Sequence, residues 1–131
     1  MNSNKQIPAG TKWGDIVGYS RATRSGNTIE VSGTAAVNEK GDVVSIGDPY
    51  EQTRFILTKI KKAIEDLGGS ITDVVRTRIF VTDISRWEEV GRAHGEFFGH
   101  VKPATSMVEV RALITPDMMV EIEATAIISR Q

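Results

Sequence analysis

The chain has no cysteine among its 131 residues. This absence excludes disulfide bonds, thiolate nucleophiles and metal sites built from thiolates. The histidine, aspartate and glutamate residues do not follow a spacing typical of metal ligands, so we predict no metal site. A glycine-rich phosphate loop and a nucleophile elbow are also missing, and the sequence therefore predicts no bound cofactor.

Excess positive charge and long apolar runs are missing as well. The net charge is −1 and no basic stripe accompanies it, which argues against binding to nucleic acid or to an anionic membrane through bulk electrostatics. No apolar run approaches the length of a membrane span, and the N-terminal sequence MNSNKQIPAG lacks the apolar segment of a signal peptide. We therefore expect a cytoplasmic protein with neither nucleic acid nor membrane among its partners.

What the chain does contain is an ordinary globular composition, with 40% hydrophobic and 25% charged residues. A chain of this length buries roughly two-thirds of its unfolded surface, and we expect residues 1–131 to form a single domain. Residues 1–12 are polar and contain a Pro-Ala-Gly break, which predicts an irregular segment.

A hairpin is predicted in the first third of the chain. Two strands, over residues 16–24 and 28–36, flank a Ser-Gly-Asn turn at residues 25–27. The second strand contains Gly33 in its interior. A glycine at such a position indicates a β-bulge or the close approach of another group to the backbone.

Two helices follow, with a strand over residues 74–82 between them. The first helix begins with Asp48 as its N-cap and ends at Gly68, and its apolar residues recur at helical spacing. The second is predicted to begin with a capping box at residues 85–88 and to end at Gly99. His94 lies on the apolar stripe of this helix, which favours a partly buried and hydrogen-bonded histidine over a catalytic one.

Residues 102–126, KPATSMVEVRALITPDMMVEIEATA, contain two apolar-alternating runs joined by a turn at residues 115–117. The pattern predicts two strands paired with each other. A period of two assigns alternate residues to opposite faces. The predicted core face carries Ser106, Val108, Val110, Val120, Ile122, Ala124 and Ala126.

Two one-sided helices can cover only one face of such a sheet, so the element order predicts an α+β fold with an uncovered face. Arginine and glutamate are nearly balanced on this face, as an ion-paired subunit interface requires, because unpaired buried charge is costly. We therefore predict an oligomer. The residues assigned to the uncovered face are Glu30, Ser32, Arg76, Arg78, Phe80, Thr105, Met107, Glu109, Arg111, Glu121, Glu123 and Thr125.

The string Pro-Ala-x-Ser-x-Val-Glu-Val, followed by Val-Glu-Ile-Glu-Ala, resembles the C-terminal signature of the Rid family, also called YjgF-like or L-PSP endoribonuclease proteins. The resemblance extends along the chain and includes RIFVTD at residues 78–83 and the pair Phe97 and Phe98. It implies a chorismate-mutase-like α+β domain with about six strands in a mixed sheet and two helices on one face. It also implies a homotrimer whose ligand clefts lie between neighbouring subunits.

In competent Rid enzymes the substrate is a 2-imino acid or its enamine tautomer, an arginine after Pro-Ala holds the carboxylate, and water attacks the C=N carbon to release ammonia. Thr105 stands at the position of that arginine. The resemblance makes Glu121 the candidate catalytic residue, which would manage the water or a proton, and Tyr19 the residue that closes the cleft. The predicted ligand-binding residues are Tyr19, Ser32, Gly33, Thr105 and Met107.

Two departures from the family pattern affect the expected reaction. Thr105 carries no charge and cannot form the planar two-point pair that arginine forms with a carboxylate. Each charge-assisted hydrogen bond contributes roughly 1.5–3 kcal/mol, so loss of the two-point pair costs about 100-fold or more in rate. Gly91 also stands where several members have asparagine. The cations that could substitute, without a ranking among them, are Arg21, Arg24, Arg76 and Arg78.

Three functions remain open at this point. The leading hypothesis is a homotrimer that binds a small molecule with a carboxylate or carbonyl and that hydrolyses, if anything, an imine or enamine. The second is a ligand-binding or regulatory trimer without catalysis, in which Glu121 is an interface ion-pair partner and Tyr19 a packing residue. The third, an endoribonuclease, is disfavoured because the sequence shows neither a paired-histidine acid–base set nor a basic surface excess.

Overall fold

The computed structural model describes residues 4–129 of the chain. Two single-turn 3-10 helices, Ile71–Asp73 and Ile84–Arg86, accompany nine longer elements. In chain order these are β1 Lys5–Pro8, α1 Lys12–Val17, β2 Ser20–Ser25, β3 Thr28–Ala35, α2 Pro49–Asp66, β4 Val74–Val81, α3 Trp87–Phe98, β5 Ala104–Glu109 and β6 Val120–Ile127.

The C-terminal strand β6 lies inside a six-stranded sheet with the order β1-β2-β3-β6-β4-β5. Its neighbours β3 and β4 both run antiparallel to it, whereas β5 runs parallel to β4. The sheet is therefore mixed, and α2 and α3 share one hydrophobic core with it. The prediction of an α+β fold with a six-stranded mixed sheet is confirmed.

The core lies between the sheet and α2. Alternate residues of β6 from Val120 to Ala126 are buried, while Glu121, Glu123 and Thr125 between them are partly exposed. This is the alternation that the sequence predicts for a strand with one covered face. Burial of each large aliphatic side chain contributes roughly 1.5–3 kcal/mol to stability. The fully buried aliphatic residues of α2 are Ile56, Leu57, Ile60 and Ile64.

The start of α2 is fixed by the residues that the sequence indicates. The Asp48 side chain accepts a hydrogen bond from the backbone N–H of Glu51 at 3.0 Å, and Pro49 occupies the first helical position. The helix ends one residue before Leu67, and Gly68 follows with a φ of +90°. Both predicted ends of this helix are confirmed.

The N-terminal region differs from the prediction. Residues 16–24, predicted to form one strand, are divided between the end of α1 and most of β2. Gly18 separates the two with a φ of +89°, and its N–H donates to the carbonyl of Gly14 at 2.8 Å. Lys5–Pro8, within the predicted irregular segment, form β1 and pair with β2. Both α1 and β1 are too short for their residues to show a period, so the sequence did not reveal them.

The predicted pairing of the two runs within residues 102–126 is wrong. β4 lies between β5 and β6, and β5 pairs with β4 in parallel. Parallel neighbours need a long connection, and α3 supplies it between β4 and β5. The alternation of side chains assigns faces within one strand but does not identify the neighbouring strand.

The face assignment of β5 is also wrong. Thr105 and Met107 lie opposite Thr77 and Ile79 of β4, which are buried beneath the helices. Val108, predicted to be in the core, is 48% exposed on the other face. β5 lies at the edge of the sheet. The positions of its apolar residues therefore do not show which of its faces packs against the core of this subunit.

The start of α3 differs in detail from the predicted capping box at residues 85–88. Asp83 caps the preceding 3-10 turn, where its Oδ1 accepts from the Ser85 N–H at 3.0 Å and from the Ser85 hydroxyl at 2.6 Å. α3 itself begins at Trp87. Across residues 4–129, no helix is long and apolar enough to cross a membrane.

Candidate functional site

Four of the predicted site residues, Tyr19, Ser32, Gly33 and Glu121, line one concavity of about 330 Å³, which we call the cleft. α1, β2, β3, β6 and one residue of α2 form its walls, together with the segment that precedes β6. The lining consists of Thr11, Trp13, Val17, Tyr19, Arg21, Ser32, Gly33, Ala35, Val37, Lys59, Ile114, Met118 and Glu121.

The side chain of Glu121 lies directly against the backbone of Gly33. The pairing of β3 with β6 shifts register between Val31 and Thr34, as the glycine in this strand predicts. A Cβ atom on Gly33 would lie 2.7 Å from Oε2 of Glu121 and 3.0 Å from its carboxyl carbon. Only glycine therefore leaves the Glu121 carboxyl in its place on the floor of the cleft.

Burial raises the pKa of Glu121 above its usual value of 4.5, the negative charge of Glu123 raises it further, and the positive charge of Arg21 opposes the increase. A carboxyl group with a raised pKa can be protonated closer to neutral pH, so it can donate a proton and then accept one. The environment of Glu121 is thus suited to acid–base chemistry.

Tyr19 and Ser32 are held at the cleft by polar contacts to neighbouring elements. The hydroxyls of Tyr19 and Thr11 lie 3.2 Å apart, which ties the tyrosine to the residue that precedes α1. The Ser32 hydroxyl donates to the carbonyl of Ser20 at 2.7 Å. Because its hydrogen is engaged in that bond, the Ser32 hydroxyl can offer a ligand only an acceptor.

Arg21 is the cation of the cleft that the sequence could not rank above other arginines. It is 8% exposed, and its Nη1 donates to the hydroxyl of Thr34 at 3.0 Å and to the carbonyl of Gly33 at 3.5 Å. Its Nη2 donates to the carbonyl of Ala9 at 3.1 Å. Burial lowers the pKa of Arg21, whereas the neighbouring Tyr19 and Glu121 raise it.

Lys59 is a second cation of the cleft, and it was not predicted from the sequence. It lies on α2, and its Nζ donates to the carbonyl of Val37 at 3.0 Å. Burial lowers the pKa of Lys59 to about 8, and the charge of Arg21 lowers it as well. The sequence did contain a sign of this role, because Lys59 lies between Ile56 and Ala63 on the apolar stripe of α2. Lysine is expected on the exposed face of a helix, so a lysine on the apolar stripe is unusual.

Thr105 and Met107 do not line the cleft of their own subunit. They lie on β5, and β4 separates that strand from the β6 strand of Glu121. The Thr105 hydroxyl lies 2.7 Å from that of Thr77 and donates to the carbonyl of Pro103 at 3.1 Å. Met107 packs against the hydrophobic core.

His94 joins the polar group around Thr105. Its Nε2 lies 2.9 Å from the Thr77 hydroxyl, and its ring packs against Phe98 with the centroids 4.6 Å apart. Burial lowers the pKa of His94 below 6.5, so the neutral ring dominates at pH 7. The prediction of a partly buried, hydrogen-bonded histidine is confirmed.

The uncovered face of the sheet is smaller than predicted, because the reversal of β5 removes Thr105, Met107 and Glu109 from it and Arg111 lies beyond the end of that strand. The remaining charges are partly paired within the subunit. Arg78 Nη1 lies 3.4 Å from Glu123 Oε1, Arg76 Nη2 donates to the Ser106 hydroxyl at 3.0 Å, and the Thr125 hydroxyl donates to Glu30 at 2.6 Å.

Groups of three or more histidine, aspartate or glutamate side chains placed to hold a metal ion do not occur among residues 4–129. The polar groups of the cleft instead comprise one carboxyl, two cations and hydroxyls. Such a set suits an organic ligand with a negative or carbonyl oxygen at one end.

A family model described as endoribonuclease L-PSP matches residues 11–128 of this chain. The chain is 35% identical over 120 residues to the 3-aminoacrylate deaminase RutC of Acinetobacter baylyi, an alignment that covers 92% of this chain and 94% of RutC.

Crystal structures of similar proteins share the fold. Rv2704 of Mycobacterium tuberculosis, a member of the YjgF/YER057c/UK114 family, is 46% identical with a TM-score of 0.87 over 96% of this chain and 100% of that one. The YjgF gene product of E. coli is 34% identical with a TM-score of 0.78 over 93% of both chains. This chain therefore belongs to the endoribonuclease L-PSP family, which is also known as the YjgF or Rid family.

Proposed function

We propose that this protein is a homotrimer whose clefts bind a small metabolite with a carboxylate or carbonyl and hydrolyse an imine or enamine in it. The observation that carries the proposal is the placement of the Glu121 carboxyl, with its raised pKa, beside Tyr19 and Arg21 in one cleft. An acid that can give and retake a proton, close to a cation, is what hydrolysis of an enamine acid requires.

The reaction proceeds in proton transfers that Glu121 can perform. The protonated carboxyl gives its proton to the enamine carbon, and the C=C bond becomes a C=N iminium bond. Water then attacks the iminium carbon, and the carboxylate takes the proton that the water loses. Glu121, protonated again by that step, gives its proton to the nitrogen of the resulting carbinolamine, the C–N bond breaks and ammonia leaves. The hydroxyl then loses its proton to the Glu121 carboxylate, so the oxygen remains as a carbonyl and the carboxyl is protonated as at the start. For an imine substrate, only the water attack and the collapse are needed.

The relative RutC suggests which enamine to test first. Its name describes deamination of 3-aminoacrylate, which carries nitrogen on the carbon β to a carboxylate. In 2-iminopropanoate the nitrogen is on the α carbon, so the carboxylate lies closer to the reacting bond. Because Thr105 cannot hold that carboxylate as arginine would, the proposed substrate is an enamine acid other than the standard short imino acids.

A homotrimer would bring the two separated parts of the predicted site together. Within one subunit, Thr105 and Met107 lie on an edge strand away from the cleft. A neighbouring subunit that packs on the uncovered face could place its own β5 beside the cleft. The partly exposed Phe80 and the exposed Val108 on that face supply apolar area for such a contact.

The test is ammonia release from freshly generated 3-aminoacrylate and 2-iminopropanoate, measured against the rate in buffer. We expect catalysis of the first reaction in proportion to protein concentration and a rate near background for the second. A rate for 3-aminoacrylate equal to that in buffer would contradict the proposed reaction. A 2-iminopropanoate rate comparable with that of arginine-bearing relatives would contradict the role given to Thr105.

A ligand-binding trimer without turnover is the second candidate. It is favoured by the contacts of Thr105, whose hydroxyl is already engaged by Thr77 and the carbonyl of Pro103 and offers little to a substrate. In that case a carboxylate ligand would raise the melting temperature although no ammonia appears. Thermal melts with and without the ligand, run beside the ammonia assay, separate the two candidates.

A further inference from the structure

Arg21 and Lys59 meet at the boundary of two concavities. Both line the cleft, and both also line a second concavity of about 720 Å³ between α2, β1 and residues 37–42. They come from different layers of the fold, since Arg21 is on β2 of the sheet and Lys59 is on α2. Two cations are thus brought together where the interior opens to a ligand.

The hydrogen-bond acceptors of these two residues are neutral oxygens. Arg21 donates to two carbonyls and the hydroxyl of Thr34, and Lys59 donates to the carbonyl of Val37. Among residues 4–129, no carboxylate forms an ion pair with either of them. Glu121 is close enough for its charge to act on Arg21, but it does not pair with either cation, so the two partly desolvated charges are only partly compensated and a bound anion would stabilise them.

Both side chains have donors beyond those contacts. A guanidinium has five N–H groups and an ammonium has three. Within the described part of the chain, Arg21 donates to Gly33, Thr34 and Ala9 and also interacts with the Tyr19 side chain, whereas Lys59 donates one hydrogen bond. The bonds to Ala9 and Thr34 hold the guanidinium in a fixed position, so its remaining donors are preorganised for a ligand.

We propose that Arg21 and Lys59 form the carboxylate-binding site of this protein's ligand, where the cleft adjoins the second concavity and in place of the arginine that Thr105 replaces. The inference rests on the proposed function and names the part of the cleft that recognises the acid group.

The proposed site predicts that anion binding depends on pH through Lys59. Its lowered pKa of about 8 means that the ammonium loses its proton as the pH rises through that value, and binding weakens. A bound carboxylate stabilises the ammonium, so binding above pH 8 is accompanied by proton uptake. The other charged or titratable groups that line the two concavities are Tyr19, Arg21, Glu39, Lys40, Asp42, Lys62, Asp66 and Glu121. The adjoining surface around α1 adds Lys12 and Asp15.

The probe is pyruvate, with hydroxyacetone as a neutral analogue of similar size, titrated calorimetrically into the full-length protein. We expect pyruvate to bind at least about 10-fold more tightly than hydroxyacetone at pH 7. Lys59→Met keeps an unbranched side chain beside Phe55 but removes the charge, and it should weaken pyruvate binding about 10-fold or more. Lys59→Arg keeps the charge and should retain most of the pyruvate affinity. Lys61→Met is the control, because it removes the same charge from an exposed position on the same helix.

Proton uptake distinguishes a direct role of Lys59 from a structural one. Titrations at pH 8.5 in buffers of different ionisation enthalpy should show uptake on pyruvate binding for the wild type and Lys61→Met but not for Lys59→Met. Equal pyruvate affinity and equal proton uptake in all three proteins would overturn the site.

The same variants separate the carboxylate site from the proposed reaction. If wild-type protein binds pyruvate through Lys59 but releases no ammonia from 3-aminoacrylate, the carboxylate site stands and the proposed reaction fails. If Lys59→Met turns over 3-aminoacrylate with an unchanged KM, the reaction stands and the carboxylate site fails.

Discussion

The Glu121 carboxyl lies on Gly33 so closely that a single added carbon on the glycine would overlap it, at 2.7 Å from Oε2. The contact joins β6 to the bulge of β3 and places a carboxyl of raised pKa on the cleft floor. The position of the candidate catalytic group is therefore set by the absence of a side chain on the neighbouring strand.

Replacement of that glycine should move the carboxyl without removing it. Gly33→Ala is expected to lower ammonia release about 10-fold or more, because displacement of a catalytic group by about 1 Å can cost even 100-fold. Fold stability should change little, because the atoms that must move are the outer end of one flexible, partly exposed side chain. Gly95→Ala is the control, since a Cβ there meets no atom within 4 Å and should stabilise α3 by roughly 0.5–1 kcal/mol. Full activity in Gly33→Ala would show that the Glu121 position is not needed.

Arginine at position 105 should restore part of the standard family reaction. Thr105 is exposed, so a longer side chain has room, although the contact with Thr77 is lost. We expect Thr105→Arg to raise 2-iminopropanoate turnover by at least about 10-fold, as two charge-assisted hydrogen bonds to the carboxylate become available. Thr105→Lys supplies the charge without the planar fork and should give a smaller gain. No gain in either variant would mean that position 105 does not reach a cleft.

The lowered pKa of Lys59 makes stability depend on pH. The unfolded chain binds more protons than the folded one between about pH 8 and the usual lysine value of 10.5, so stability attributable to Lys59 rises with pH through this window. Below pH 8 the partly buried charge is a net cost, and Lys59→Met should stabilise the apo-protein by about 1 kcal/mol once solvent screening is allowed for. Denaturant unfolding from pH 7 to 10 checks this, and a Lys59→Met difference constant over that range would contradict it.

The uncovered face should be the subunit interface. Arg78→Glu places like charges beside Glu123, with which Arg78 now pairs at 3.4 Å. We expect this variant to dissociate in sedimentation at micromolar concentration, and the swap Arg78→Glu with Glu123→Arg to recover assembly in part. A stable wild-type monomer at that concentration would contradict the trimer and, with it, the role of a neighbouring subunit in the cleft.

The sequence was informative wherever a local signal coincides with a structural constraint. The cap at Asp48 gives the start of α2, the alternation in β6 gives its buried face, and Gly33 indicates a close approach that proves to be that of Glu121. In each case neighbouring residues along the chain, or a single residue type, contain the whole signal.

The predictions that were wrong or missing concern contacts between parts of the chain that are distant in sequence. Alternation in β5 could not show that β4 lies between β5 and β6, and the face of Thr105 was therefore reversed. Arg21 and Lys59 are far apart in sequence and meet only because α2 packs beside β2. Their proximity is a property of the fold, and no motif in either segment carries it.

The most direct test of the role proposed for Glu121 is ammonia release from 3-aminoacrylate by Glu121→Gln beside Glu123→Gln. Both residues lie on the same face of β6, and both variants replace a carboxylate with an amide of similar shape. We predict that Glu121→Gln lowers the rate about 100-fold or more, the usual contribution of a positioned acid or base, while Glu123→Gln stays within a few-fold of wild type. Wild-type turnover by Glu121→Gln would contradict that role.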